Sequence, residues 1–465
     1  MRERTLPLLL SLTLTACAVG PDYSRPKLDL PATTSDTTQA SIQADWWQQF
    51  HDPVLDQLIA EALQHNADLA TASAQLDEAA ALAGIARAQL LPSLAANAGY
   101  QRARTSAETT TPGTPLITDV RNANLSASWE LDLWGKLQRS NEAARATLAA
   151  SQYNRDAARL SLSAQVAQSY FQLRAFDAQL DIAKRTLESR ESSLQLRQKR
   201  FKGGMSSELD MRQAESEAAS ARATIPQLNQ SLQQTESALA LLLGRSPREM
   251  VDGKLQRGMA IEALTVPPPI PADLSSGLLE RRPDLAAAEA QLIAANARIG
   301  VAKAAYFPSI SLTGALGSQS LSMNTLFTGA TRTWSFVGNA TAPLFNFGQT
   351  GLNVDAASAR QRQALAQYQK AIQTAFKETQ DALLASSSAR EVQEAQTTQL
   401  AALNRALHLA TLRYDNGYSS YLDVLDAERN TFQAELNLVN AKLERLDAAI
   451  SLYKALGGGW KAAAN

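Results

Sequence analysis

The chain is poor in the residues that most enzymatic and metal sites require. It has one cysteine and three histidines among 465 residues. The histidines, His51, His65 and His408, are scattered and do not have the spacing of a metal-ligand set. The sequence contains no phosphate-binding P-loop and no supported Ser/His/Asp combination. It therefore predicts no enzymatic activity, no metal site and no cofactor.

Long apolar runs and a surplus of one charge are also missing. The formal net charge is −1, so electrostatics do not favour a nucleic-acid partner. No apolar run approaches the ~20 residues that a membrane-spanning helix needs. The length would allow two or three globular domains. The class of the protein has to be inferred from patterns and repeats.

The N-terminus has the pattern of a secretory signal. Two arginines precede an apolar run that ends at Ala16 and is too short to span a bilayer. The run ends in Leu-Thr-Ala-Cys, which resembles the lipobox of bacterial lipoproteins, where the cysteine, here Cys17, is lipidated and becomes the new N-terminus. We predict a signal peptide over 1–16 and a lipidated tether over 17–45; the alternative is an ordinary signal peptide with an incidental cysteine. In bacterial lipoproteins of enteric type, an aspartate after the lipidated cysteine is associated with retention in the inner membrane. This chain has Ala18 at that position, which favours the outer membrane.

The sequence contains the same pattern twice. The segment Phe201–Asp210 returns 213 residues later as Tyr414–Asp423, with a Gly turn and a Ser-Ser pair in both copies. A period this long indicates a duplicated half-protein and not a solenoid unit. We expect two structural repeats, over 46–260 and 261–465.

Each repeat contains a predicted β-hairpin, over 93–131 and 308–342. The clearest strand places five apolar side chains on one face and five polar ones on the other: Ala123, Leu125, Ala127, Trp129 and Leu131 against Asn122, Asn124, Ser126, Ser128 and Glu130. This alternation is typical of membrane barrels, although a single strand could equally be the edge of a soluble sandwich. The polar links Thr105–Val120 and Gln319–Ala330 are expected to be outward-facing loops.

Four strands cannot close a barrel, and lipid tolerates no open sheet edge. Bacterial barrels need at least ~8 strands. If the strands lie in a membrane, two or more protomers must share one barrel.

Long helices follow each hairpin. The stretch 136–201 contains no proline or glycine and would form a helix about 100 Å long. Apolar residues recur in it every seven positions, as in a coiled coil. The turns at Gly203-Gly204 and Asn416-Gly417 suit the left-handed geometry that ends a helix. The predicted helices are 136–201, 206–243, 283–306, 349–414 and 419–456, with a further helix at the start of the first repeat.

Several segments resemble one protein family. They are Val19–Pro26, Arg281–Leu292, Ala302–Gly314 and Arg413–Arg429. Together they identify the chain as a member of the TolC-like outer-membrane factors, in the lipoprotein branch of OprM/NodT type. The resemblance covers essentially the whole mature chain, in the right order.

The resemblance implies the fold class and the assembly. It implies an α+β membrane protein that forms a homotrimer, with a 12-stranded transmembrane barrel made of four strands per protomer. Long helices continue this barrel as a coiled-coil tunnel across the periplasm. An equatorial belt would combine 24–53, 245–282 and the C-terminus from Gly457.

The resemblance also implies a function. The family forms a passive exit duct in the outer membrane, in contact with outer-membrane lipid, a periplasmic adaptor protein and an inner-membrane pump. The lipoprotein features favour a pump of the resistance-nodulation-division type that exports small molecules such as drugs and toxic compounds. The outer-membrane component of a type I protein secretion system is the alternative.

The site residues that the resemblance implies lie at the helix tips. Asp423 and Asp426 match aspartates that line the family's periplasmic constriction, and Asp210 can hydrogen-bond Tyr414 to hold neighbouring coils closed. Ser419 stands where the best-known latch has an arginine. The expected adaptor contacts are Gly204, Met205, Gly417 and Tyr418. From the residues alone, the aspartates could equally be solvated charges at helix starts, and the glycines could serve only the turns.

Overall fold

The computed structural model describes residues 18–29, 43–267 and 281–460. The helices are α1 (Pro53–His65), α2 (Ala67–Ala88), α3 (Lys136–Lys202), α4 (Glu208–Leu242), α5 (Pro247–Asp252), α6 (Pro283–Ala304), α7 (Gln349–Asp415) and α8 (Tyr421–Ala455), and the strands are β1 (Ser93–Arg104), β2 (Ile117–Leu131), β3 (Ser309–Ser320) and β4 (Arg332–Thr341). Short 3₁₀ turns occupy Trp46–Phe50, Met323–Thr325 and Gly329–Thr331. Among the described helices, none is long and apolar enough to cross a membrane.

The four strands form one antiparallel sheet in the order β1-β2-β3-β4. The hairpins of the two repeats join where Leu125 of β2 pairs with Leu316 of β3. One face of the sheet is apolar. The opposite face is polar, and on it Asn97 Nδ2 donates to Asn124 Oδ1 and to Ser126 Oγ, each at 3.1 Å.

The first hairpin is longer than its sequence pattern suggests. The link predicted to extend to Val120 ends earlier, because β2 begins at Ile117 and pairs with Arg104. Asp119 makes this extension favourable: Tyr100 Oη donates to Asp119 Oδ1 at 2.6 Å, and the Arg102 guanidinium lies 3.8 Å from the same carboxylate. These polar pairs continue the sheet beyond its apolar alternation.

The chain divides into two compact units that do not follow the repeat boundaries. Unit 1 is Met1–Lys27, Gln75–Gln152 and Ala287–Gln369, and unit 2 is Leu28–Ala74, Tyr153–Ala286 and Lys370–Asn465. The units differ from the repeats because equivalent parts of the two repeats belong together. The strands of both repeats, for example, form one sheet in unit 1. Helices α3 and α7 each belong partly to both units.

Unit 2 has an aromatic core around the first 3₁₀ turn. Trp46 stacks on Tyr453 with ring centroids 5.4 Å apart, and Phe50 meets Phe171 edge to face at 5.0 Å. Asp52, which is 1% exposed, caps α1 by accepting from Val54 N and also accepts from Tyr170 Oη at 2.6 Å. Both oxygens of this buried carboxylate therefore accept hydrogen bonds, as burial of a charge requires.

The beginning of the predicted tether is docked on unit 1 and is not a free linker. Asp22 pairs with Arg139 at 2.5 Å, and Glu289 accepts from Tyr23 and from Arg25. Gly20 lies against a second glycine, so that a Cβ on it would be 2.5 Å from Gly300 Cα. The pattern of prolines and small polar residues did not indicate these contacts, because they join segments that are distant in sequence.

The five helices whose limits were predicted begin and end within two residues of those limits. The single helix expected at the start of the first repeat is instead two helices, α1 and α2, separated at Asn66, and α5 was not predicted. The helices after the Gly turns begin at Glu208 and Tyr421, because Ser207 and Ser420 occupy the N-cap positions. The predicted signal peptide and Cys17 lie outside the described residues, as do positions 30–42, 268–280 and 461–465.

Candidate functional site

The two helix tips of unit 2 have the same backbone construction. In the first, Met205 N donates to Arg200 O at 2.8 Å, and in the second, Tyr418 N donates to Arg413 O at 2.8 Å. This is the hydrogen bond of a Schellman helix end, which needs a left-handed residue before the donor. Gly204 has φ of 70° and its equivalent in the second tip has φ of 79°. The glycines are thus required for the turn itself.

Each turn carries an exposed side chain with a large apolar surface. Met205 is 75% exposed and Tyr418, at the equivalent position, is 78% exposed. Gly204 and Gly417 beside them are exposed as well. An aromatic ring or a methionine held out on a fixed turn is suited to burial against another protein.

The two tips differ after the turn. In the first tip, Ser207 Oγ accepts from Asp210 N at 3.2 Å and caps α4. In the second, Ser420 makes no side-chain cap bond. The preceding hydroxyls, Ser206 and Ser419, are buried without a partner among the described residues. The second helix start is therefore less firmly capped than the first.

A single guanidinium connects both ends of the second tip to α3. Arg197 is 5% exposed and lies against two neighbouring aromatic rings, with its Cζ 4.5 Å from the ring centroid of Tyr414 and 4.3 Å from that of Tyr421. Its Nη1 also donates to Tyr414 Oη at 2.6 Å. Tyr414 belongs to the last turn of α7 and Tyr421 is the first residue of α8. We call these three residues the arginine clamp.

The arginine clamp is supported by packing around Tyr421. This tyrosine shares a buried apolar cluster with Ala214, Val424 and Leu425. Its hydroxyl lies 3.1 Å from Ser193 Oγ on α3. Burial raises the pKa of Tyr421 above its ordinary value, so the hydroxyl stays neutral.

A buried ion pair lies next to the clamp and joins three helices. Glu217 of α4 is 3.1 Å from Arg190 Nη1 of α3 and also forms a hydrogen-bonded ion pair with Arg429 of α8. In α8, Arg429 interrupts apolar residues at coiled-coil spacing, among them Leu425, Phe432 and Leu436, and its ion pair with Glu217 accounts for a charge at this position. Burial raises the pKa of the adjacent Glu428, and the charge of Glu217 acts in the same direction. Arg190 and Glu217 are buried whereas Arg429 is exposed, so removing Glu217 is costly, since it leaves the buried Arg190 without this partner.

The predicted acidic residues lie on the tips but are not joined to each other. Asp423 and Asp426 are exposed, and Asp426 Oδ1 is 3.5 Å from Arg429 Nη1. Asp210 is half-buried, and within the described chain its carboxylate has no hydrogen-bond partner. Inside one protomer Tyr414 therefore bonds Arg197 and not Asp210.

Sequence reasoning did not identify Arg190, Arg197 or Glu217. A signal was present, because both arginines lie three residues after a member of the heptad series, Leu187 and Leu194. A charged residue repeated every seven positions on a coiled-coil seam indicates a buried polar layer. Its partners could not be read from the sequence, since Arg197 and Tyr414 are 217 residues apart.

No metal-binding cluster of histidine, cysteine and acidic residues occurs in the part of the chain that the structure describes. The tips can instead offer apolar contacts, exposed carboxylates and a helix junction that is held by side chains.

Known proteins are similar to this chain in both sequence and fold. The chain matches the outer membrane efflux protein family over residues 58–245 and 274–458. It is 36% identical to the toluene efflux pump outer membrane protein TtgC of Pseudomonas putida, over 97% of this chain and 96% of that protein. It is also 36% identical to the cation efflux system protein CusC of Escherichia coli O157:H7, over 98% of this chain and 99% of that protein.

A solved structure agrees with these matches. The Campylobacter jejuni CmeC outer membrane channel superposes with a TM-score of 0.91 at 28% identity, covering 97% of this chain and 96% of that channel. The relatives quoted bear the names of efflux proteins and not of enzymes. The predicted fold class, the outer-membrane location and the efflux function are confirmed. The chain belongs to the outer membrane efflux protein family.

Proposed function

We propose that this protein is the passive outer-membrane exit duct of a tripartite efflux system. The observation that carries the proposal is the four-stranded sheet, which has one apolar face, one polar face and two edge strands, β1 and β4. Such a sheet can lie in a membrane only if further copies cover its edges. The polar face would then line a channel.

The number of protomers in the barrel is inferred from the four strands of each chain and from the trimeric assembly that the family resemblance implies. Three protomers of four strands give a twelve-stranded barrel, which satisfies the minimum of ~8 strands for a bacterial barrel. The homotrimer joins β4 of one protomer to β1 of the next. The helices of three protomers would line the periplasmic part of the duct.

The N-terminal contacts support a lipid anchor on Cys17. The next residue, Ala18, lies so close to Gly135 that a Cβ there would be 2.7 Å from Ala18 Cα. Val19 N donates to Trp134 O at 3.0 Å. Both partners lie in the short link between β2 and α3. Residues 18 and 19 are therefore held at the end of the strands that the proposed orientation places on the periplasmic side.

Asp423 and Asp426 would form the selective constriction. Both side chains are exposed in one protomer, three residues apart on one helix face. Three copies would place six carboxylates around the narrow end of the duct, and such a ring favours cations. The arginine clamp would hold this tip in its narrow arrangement. Asp210 is available to a neighbouring protomer, since its carboxylate has no partner among the described residues of its own chain.

The exposed turns would dock the periplasmic adaptor. Gly204, Met205, Gly417 and Tyr418 form two fixed, exposed tips, of which each carries one large side chain. The adaptor would connect the duct to an inner-membrane pump, and the lipoprotein features favour the resistance-nodulation-division type. Relatives named for toluene and for cations are equally similar to this chain in sequence, so the pump and not the duct would choose the substrate.

Planar-bilayer recordings test the duct and its constriction together. Purified wild-type protein should form cation-selective pores. In Asp423→Asn/Asp426→Asn, the ratio of cation to anion permeability should fall towards one, most clearly at low salt, where surface charges are least screened. Asp415→Asn is the matched control, because it removes an exposed aspartate near the same tip. Absence of pores would refute the duct, whereas pores with unchanged selectivity in the double variant would refute only the carboxylate ring.

A further inference from the structure

The apolar face of the sheet changes character along the strands. Near the ends that lead into the helices, two cross-strand rows are apolar: Leu94, Ala127, Gly314 and Phe336, then Ala96, Leu125, Leu316 and Trp334. Their large side chains are exposed; Leu94 is 81% and Trp334 80% exposed. This is the arrangement of a lipid-facing surface.

The same face becomes basic towards the far ends of the strands. The next positions on it bring four arginines: Arg332 opposite Ser318, Arg121 opposite Tyr100, Arg102 opposite Asp119, and Arg104 opposite Ile117. Directly paired residues lie on one side of a sheet, and the register advances by two residues per row, about 7 Å. The four guanidinium groups are therefore distributed over about 20 Å of one surface. We call them the arginine patch.

Part of the arginine patch is held in place. The Arg121 guanidinium lies over the Tyr100 ring at 5.0 Å and donates to Leu321 O at 2.7 Å. Arg102 has a loose ion pair with Asp119, at 3.8 Å. Asp119 also accepts from Tyr100 Oη. The one acidic residue of the surface thus offsets a single charge.

The other two arginines are free to bind. Arg104 and Arg332 are exposed, and the structure gives neither of them an ion pair or hydrogen bond within the described residues. Arg332 is in the row next to Leu316 and Trp334. A cation without a partner at the border of an apolar surface is suited to an anionic group that carries an apolar tail.

The loop between β3 and β4 folds over the same face. Ser320 Oγ lies 2.6 Å from Thr325 Oγ1, and both Ser318 and Ser320 are buried. The loop leaves Met323 and Phe327 largely exposed. It therefore adds apolar surface close to the arginine patch.

We propose that the arginine patch binds the phosphate groups of a phosphorylated glycolipid in the outer leaflet. The acyl chains would lie on the apolar rows, and the phosphates would meet the guanidinium groups, which form charge-assisted and often bidentate bonds to phosphate. The proposal rests on the proposed function for its orientation: the helices occupy the periplasm, so the opposite ends of the strands lie at the outer surface. Charge complementarity selects this occupant, since four arginines face one aspartate.

Lipid binding by the full-length protein tests the proposal. Native mass spectrometry of the trimer titrated with lipopolysaccharide should show retained lipid, and lipopolysaccharide from which the phosphates have been removed should bind far less. Arg104→Gln/Arg332→Gln should weaken binding about 30-fold, because each basic side chain near an anionic membrane surface contributes about fivefold. The substitutions keep the backbone pairing of both residues and remove side chains that make no ion pair or hydrogen bond within the described residues. Arg360→Gln/Arg362→Gln is the matched control, since it removes two exposed arginines from α7.

The outcomes separate the arginine patch from the duct. Equal binding of phosphorylated and dephosphorylated lipid, or unchanged binding by Arg104→Gln/Arg332→Gln, would overturn the proposal. Competition by inorganic phosphate alone, with no dependence on the acyl chains, would overturn the lipid assignment. Each variant is also recorded in planar bilayers; normal pores together with unaltered lipid binding would refute the patch and leave the duct intact.

Discussion

Arg197→Ala removes the side chain that connects both ends of the second tip to α3. The lost contacts are one hydrogen bond from a charged donor, about 1.5–3 kcal/mol, and two cation–π contacts of about 1–2 kcal/mol each in a desolvated site. They share one guanidinium and are not additive. If the tip opens by separating these residues, as proposed above, its closed form should lose about 3 kcal/mol relative to the open form, which is about a hundredfold in the equilibrium between them.

The effect of Arg197→Ala on the second tip is measured by pore conductance and by amide hydrogen exchange. In planar bilayers, Arg197→Ala should spend more time in higher-conductance states than the wild-type protein. Amide hydrogen exchange in peptides from 414 to 426 should be faster, because the start of α8 opens more often. Tyr414→Phe keeps the ring and loses only the hydrogen bond, so its effect should be smaller. Lys199→Ala is the control, since it removes a positive charge from an exposed position two residues away.

Two results would refute the reasoning about the arginine clamp. One is unchanged conductance and exchange in Arg197→Ala. The other is an equal effect of Lys199→Ala, which would mean that net charge near the tip matters and not the stacked geometry. Arg197→Lys separates these cases further, because lysine keeps the charge and lacks the planar group.

Two more predictions concern the anchor and the pH dependence of stability. Cys17→Ser should abolish labelling by radioactive palmitate, and persistent labelling would contradict the lipobox. Burial, with a smaller contribution from Glu444, raises the pKa of Asp447 to about 7, and its Oδ1 has no partner among the described residues. A raised carboxyl pKa means that the folded protein holds this proton more tightly, so the contribution of Asp447 to stability is greatest below its unfolded pKa and falls by at most about 4 kcal/mol as pH rises to about 7. Wild-type Tm should therefore fall between pH 5 and pH 8 more than that of Asp447→Asn, and parallel pH profiles would contradict this.

The local features of the fold follow from local sequence. Alternation around Leu125 determines which face of a strand is apolar, and glycine at positions 204 and 417 determines where a helix ends, because both depend on neighbouring backbone geometry. The duplication predicts that each structural feature will occur twice. These patterns are sufficient for the element order and for the position of both tips.

Pairings between distant residues required the tertiary structure. The position of Arg197 beside the heptad series indicates at most that it is buried, and its contacts with Tyr414 and Tyr421 exist only because α3 lies beside the junction of α7 and α8. The four residues of the arginine patch, Arg102, Arg104, Arg121 and Arg332, come together only through strand register. The segment after Cys17 becomes docked only because Asp22 and Glu289 meet their partners. The physical reason is common to all three. Period and turn chemistry are encoded over a few residues, whereas the partner of a charge is determined by which surfaces approach when the whole chain folds.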